Sequence, residues 1–189
     1  MPEVLVSVAV LTIAVFVLSS IFNNAAASIR VSRSYLIAQN LLIEGMEVVK
    51  SVRDSNHMIA PNNPECWLFL APKDMASPPD CGGGVVQRDS SYLVDESDGH
   101  WLIKSSGVNQ LDLEGGPDNA NEHYRLYEGA DHGRFIYENT GSPTGFYRGI
   151  NFKVVNDSFA TFDVRIQWRD GARVRTLEES FTLYNHLAN

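Results

Sequence analysis

Polar and apolar residues are sorted along this chain into distinct regimes. From Val4 to Ile29 no residue carries a formal charge, and between Val4 and Leu18 only Ser7 and Thr12 interrupt the apolar side chains. A helix rises about 1.5 Å per residue, so an apolar run of about 18 residues or more can cross a bilayer. Ser19, Ser20, Asn23 and Asn24 make the second half of the run more polar than a plain anchor, which suits contact with protein as well as lipid. Neither proline nor glycine occurs between Glu3 and Glu44, so helical character is expected to continue past the run.

From Arg30 onward the pattern turns amphipathic. Ile37, Leu41, Glu44 or Gly45, Val48 and Val52 recur at three-to-four spacing, and Leu36, Ile43 and Val49 widen the stripe. Arg30, Arg33, Lys50 and Arg53 supply the polar faces. The spacing predicts one helix of about 50 residues, far longer than the average globular helix. Asn62-Asn63-Pro64 marks its expected end. The division predicted is 1–29 as an embedded or bundled helix and 30–189 as a head that includes the amphipathic half of the helix.

Residues 60–84 hold five prolines, three glycines and both cysteines and read as an irregular loop. Short strands are expected at Tyr92–Val94, Trp101–Lys104, Tyr124–Tyr127 and Arg134–Tyr137, separated by the turn sequences Asp98-Gly99, Gly115-Gly116-Pro117 and Gly141-Ser142-Pro143. The clearest strand is Thr161–Trp168. Phe162, Val164, Ile166 and Trp168 alternate there with Thr161, Asp163, Arg165 and Gln167, which predicts one buried face and one wet face. Ile150, Phe152 and Val154 alternate before it, and Leu177, Phe181 and Leu183 after it. Asn156-Asp157-Ser158 and Asp170-Gly171 supply turns. Residues 146–185 thus predict a three-strand antiparallel meander whose apolar face covers the second half of the helix. The fold class is α+β.

Composition adds little chemistry. The net charge of −8 comes without a basic stripe, so no nucleic-acid partner is expected. The two cysteines, Cys66 and Cys81, suit a disulfide in an oxidising compartment; in the chain-entropy model it would stabilise the head by roughly 3 kcal/mol. His57, His100, His123, His132 and His186 are scattered through polar stretches without metal-ligand spacing. Asp95, Ser97, Asp98 and Gly99, or Asp118, Asn119, Asn121 and Glu122, do not follow a calcium-loop spacing and read as acidic turns. Gly82-Gly83-Gly84 lacks the Lys-Ser/Thr of a phosphate loop. The expectation is no cofactor, no metal and no catalytic activity. Glu3 stands apart. A carboxylate next to a deep apolar run is costly in lipid, and a secretory signal would have Lys or Arg there; placed in the headgroup region it is cheap.

Met1 to Leu11, MPEVLVSVAVL, resembles the start of the mature helix of type IV pilins and their pseudopilin relatives, where a single glutamate precedes a long apolar run. Ala38 to Asn56, AQNLLIEGMEVVKSVRDSN, resembles a pattern of minor-pilin-like proteins: an alanine, then Glu-Gly-x-Glu, then Arg-Asp-x-Asn. Phe146 to Phe162, Val164 to Trp168 and the closing TLYNHL are similar to the ending strands of the same subgroup. The family's precursors carry a short basic leader ending in glycine and usually a phenylalanine at the mature start; the residues before Glu3 here are Met1 and Pro2.

The resemblance implies a subunit of an extracellular filament on a bacterial surface, anchored singly in the inner membrane before assembly and handled by a prepilin peptidase and the pilus machinery. Glu3 would then face the N-terminal amine of a neighbouring subunit, and Val4, Leu5, Val8, Leu11, Val15 and Leu18 would pack the helical core. Opposite charges attract strongly at low dielectric, and a lone one is expensive. Arg30 and Arg33 alone would hold the head in the cytoplasm under the positive-inside rule; the resemblance puts it outside. Other readings are a secretion pseudopilin, a membrane-anchored receptor head acting as a monomer, or a secreted protein cut after Ala25-Ala26-Ala27.

Overall fold

The computed structural model describes residues 2–59, 66–68, 86–97, 100–106, 111, 122–129, 135–136 and 141–185. Among these residues one long helix, α1, runs from Pro2 to Ile59, and seven strands follow. By packing, the chain divides into Met1–Ile37 and Ala38–Asn189, and the two units are described separately.

In the first unit α1 is unbroken, as the lack of proline and glycine requires. Its described span reaches Ile59, and the end expected at Asn62-Asn63-Pro64 lies outside the described residues.

In the second unit α1 buries Ala38, Leu41, Leu42, Val48, Val49 and Val52. Gly45 is buried in the same row, and the stripe closes on Asn56. Each large apolar side chain in it contributes about 1.5–3 kcal/mol relative to exposure. The expected widening is corrected on one flank: Leu36 is 60% and Ile43 is 53% exposed, while Val49 is fully buried. Gly45 permits the approach, since a Cβ there would lie 3.0 Å from Val164 Cγ1 and 3.4 Å from Arg148 Cδ.

The strands are β1 (Ser90–Ser97), β2 (His100–Ser105), β3 (Arg125–Glu128), β4 (Phe135–Ile136), β5 (Ser142–Val155), β6 (Phe159–Asp170) and β7 (Arg173–Tyr184). They form one antiparallel seven-stranded sheet. The long β5 is its axis. β6 pairs along one edge of β5, and β7 pairs with β6. The other edge of β5 is shared, with β1 at Ile150–Phe152 and β3 at Ser142–Tyr147. The predicted meander is therefore the core of the sheet. Ser142 and Pro143, read as a turn, belong to β5, with Pro143 opposite Tyr127. At the β5–β6 turn the Asn156 side chain accepts from the backbone N–H of Ser158 (2.9 Å) and Phe159 (2.8 Å). The β6–β7 connection is two residues long, with Gly171 first at φ +61°, the glycine-first pattern of a II′ hairpin.

The helix-facing side of the sheet carries Phe152, Phe162, Ile150, Val164 and Ile166, all fully buried. The side predicted to be wet is covered too. Leu111 and Tyr124 lie over Gly149, where a Cβ would come within 3.1 Å of Leu111 and 3.4 Å of Tyr124, and Tyr147 joins them. Asp163 and Gln167, on that side, are buried, at 1% and 4% exposure. This corrects the expectation of one wet face: two-state alternation shows which residues share a side, not what covers it.

Candidate assembly surface

Glu3 occupies the first turn of α1, where a carboxylate is favoured by the positive end of the helix dipole. Val4, Val8, Leu11, Val15 and Leu18 follow at alternating spacings of four and three, the a/d pattern that places side chains in one seam; Leu5 flanks it. Every large apolar residue from Val4 to Ile29 is solvent-facing, between 48% (Val17) and 77% (Phe16) exposed. Ile13, Phe16, Val17, Ile21 and Phe22 make the helix apolar around its whole circumference, not only along the seam. Helices that are apolar all round are stable buried in protein or lipid, not in water.

The two polar side chains between Val4 and Leu18 are already internalised. Ser7 Oγ donates to the Glu3 carbonyl at 2.8 Å, and Thr12 Oγ1 reaches the carbonyls of Val8 (3.0 Å) and Ala9 (2.8 Å). Hydroxyls satisfied by their own helix leave no unmet donor facing the surroundings. Among the described residues, α1 is the single helix long and apolar enough to cross a membrane.

The second unit holds polar clusters that the sequence pattern does not reveal. Arg148, fully buried on β5, donates from Nη1 to Glu44 Oε1 at 2.9 Å and to the Leu41 carbonyl at 3.3 Å. On the opposite side Lys153 pairs with Asp163, and Ser180 Oγ also donates to that carboxylate. The register shifts between Phe152 and Val154, so Lys153 sits at a bulge that re-aims its side chain. Burial pushes the Asp163 carboxyl up, but the Lys153 ammonium and Ser180 hydroxyl outweigh it and leave Asp163 below the usual carboxylate range. The hydrogen bond that Lys153 donates to the Asp163 carboxylate holds its ammonium above the ordinary lysine value against partial desolvation. Arg165 pairs with Glu178 (2.7 Å) and donates to the Leu111 carbonyl (3.0 Å), fastening the covering segment to the sheet.

These groups join elements of the fold to one another. Cys66 is disulfide-bonded and buried; Cys81, the other cysteine, lies outside the described residues. Asn56 Nδ2 donates to the Trp67 carbonyl at 3.3 Å, and the Val86 N–H donates to Leu68 at 3.1 Å, tying this segment to α1 and to the approach to β1. His57 lies half-buried in the last turn of α1 and His123 is exposed. His132, His186, Asp98, Gly99 and the 118–121 segment lie outside the described residues, whereas Asp95 and Ser97 belong to β1.

Fold and surface together define an α+β protein whose one long helix presents an unsheathed apolar stretch suited to a single membrane crossing. Compared with known proteins, the chain matches no family model, no curated protein and no solved structure.

Proposed function

We propose that this chain is a filament subunit of the type IV pilin kind, held by α1 in the membrane before assembly and by bundled copies of α1 afterwards. The observation that carries the reading is the exposure of every large apolar side chain from Val4 to Ile29, in one helix with the stripe that packs on the sheet. Such a surface needs an apolar environment at every stage, and lipid followed by identical helices provides one. Glu3 at the head of the seam supplies a counter-charge for a neighbouring amine, and the head faces outward on the bacterial surface. The reading includes no turnover of a substrate.

The test is to shear the cell surface, image the released material by electron microscopy, and identify its main protein by intact mass. Thin filaments composed of this chain are the expected result. A chain that stays wholly in the membrane as a monomer, with no filaments containing it, would replace this reading by an anchored receptor head.

A further inference from the structure

Between Glu3 and Glu44 the helix carries two formal charges, Arg30 and Arg33. Both are exposed, and among the described residues neither guanidinium has an ion-pair or hydrogen-bond partner. At i and i+3 they lie on neighbouring positions of one helix face. Their depth is set by the run before them. At 1.5 Å per residue Val4 to Asn23 spans about 29 Å and Glu3 to Arg30 about 40 Å. A bilayer has a hydrocarbon core of about 30 Å and reaches about 40–45 Å with its headgroups. With Glu3 at one headgroup layer, the first amides, Asn23 and Asn24, fall at the far edge of the hydrocarbon, and Arg30 and Arg33 fall among the far phosphates.

A second copy does not supply the missing anions at that depth. A copy spanning the same bilayer in register presents its own Arg30 and Arg33 there. The next carboxylate along the helix, Glu44, is about 16 Å beyond Arg33 and is paired with Arg148. Guanidinium groups match phosphate oxygens in planar, two-point hydrogen bonding. We propose that Arg30 and Arg33 bind the phospholipid phosphates of the leaflet at the far end of the span from Glu3, and so fix the depth of the helix. The inference rests on the reading of α1 as a membrane span.

The experiment uses the full chain, labelled with ¹³C-arginine, in bilayers of phosphatidylcholine and phosphatidylglycerol, with carbon–phosphorus dipolar recoupling as the readout. The expected result is a phosphorus-dephased share of the arginine Cζ signal that is lost in R30Q/R33Q. A spin label at Ala27→Cys gives the depth. R30K/R33K is expected to keep the wild-type depth, because it keeps the charge, and R30Q/R33Q to shift it. An inserted chain with no dephasing and an unchanged depth in R30Q/R33Q overturns the phosphate assignment and leaves the span standing. A chain washed from the vesicles at alkaline pH overturns the span itself and the assignment with it.

Discussion

The Arg148 guanidinium, fully buried in the sheet, reaches across to α1 and donates to the Glu44 carboxylate at 2.9 Å. The two partners are unequally placed, since the Glu44 side chain keeps 34% of its surface in water. Removing the carboxylate takes an anionic acceptor from a fully buried cation, whereas removing the cation leaves an acid that water can solvate. Glu44→Ala is therefore expected to cost about 2–3 kcal/mol and Arg148→Met distinctly less. Thermal unfolding of the full chain in detergent checks this, and equal losses would remove the asymmetry argument.

Gly45 sets the distance between helix and sheet. Alanine gains about 1 kcal/mol of helix propensity over glycine, but its Cβ would stand 3.0 Å from Val164 Cγ1. Gly45→Ala is expected to change stability by less than about 1 kcal/mol, and Gly45→Leu to cost about 2–3 kcal/mol through overpacking. A double-mutant cycle with Val164→Ala measures the coupling: the valine truncation should relieve part of the leucine penalty.

The Lys153–Asp163 pair gives a pH window with a definite sign. Asp163 is depressed when folded, so its contribution is present above the unfolded carboxyl value of about 3.9 and is lost as pH falls through the lower folded value. Lys153 is raised, so its share is full below about 10.4 and is lost as pH rises through the higher folded value. In Lys153→Met, burial of Asp163 acts with less opposition, and acid unfolding is expected to begin at a higher pH than in wild type. Circular dichroism between pH 2 and 7 compares the two onsets; coincident curves would assign Asp163's stabilisation to Ser180.

Cys66 anchors a buried patch with Trp67 and Leu68. Cys66→Ser is expected to lower stability by roughly 3 kcal/mol in the chain-entropy model. Scanning calorimetry with and without reductant should show that reducing the wild type reproduces the variant.

On the exposed helix, Glu3→Ala and Val15→Asp are expected to separate two requirements. Glu3→Ala leaves the apolar seam intact and should reduce filament yield with normal membrane levels. Val15→Asp places a charge within the run, at about 2.5–3.5 kcal/mol on insertion scales, and should reduce membrane levels as well. Counting filaments against membrane-fraction protein distinguishes them, and wild-type filaments from Glu3→Ala cells would remove its assigned role.

The sequence by itself determined that α1 is one long helix, apolar in its first half, because an uninterrupted run without proline or glycine has few alternatives to a helix. It determined the meander as well: period-two alternation in 146–185, broken by Asn156-Asp157-Ser158 and Asp170-Gly171, leaves little choice of strands or turns. What surrounds each face was decided by the tertiary structure. Alternation placed Asp163 and Gln167 opposite the core but could not show that Leu111 and Tyr124 close over that side of the sheet. No local pattern marks Arg148 as a buried cation, because its partner Glu44 arrives from a distant helix. Nor does spacing reveal the bulge at Lys153, which depends on how two strands slip past each other. Periodicity is a property of one segment, whereas burial and ion pairing are properties of two segments that meet.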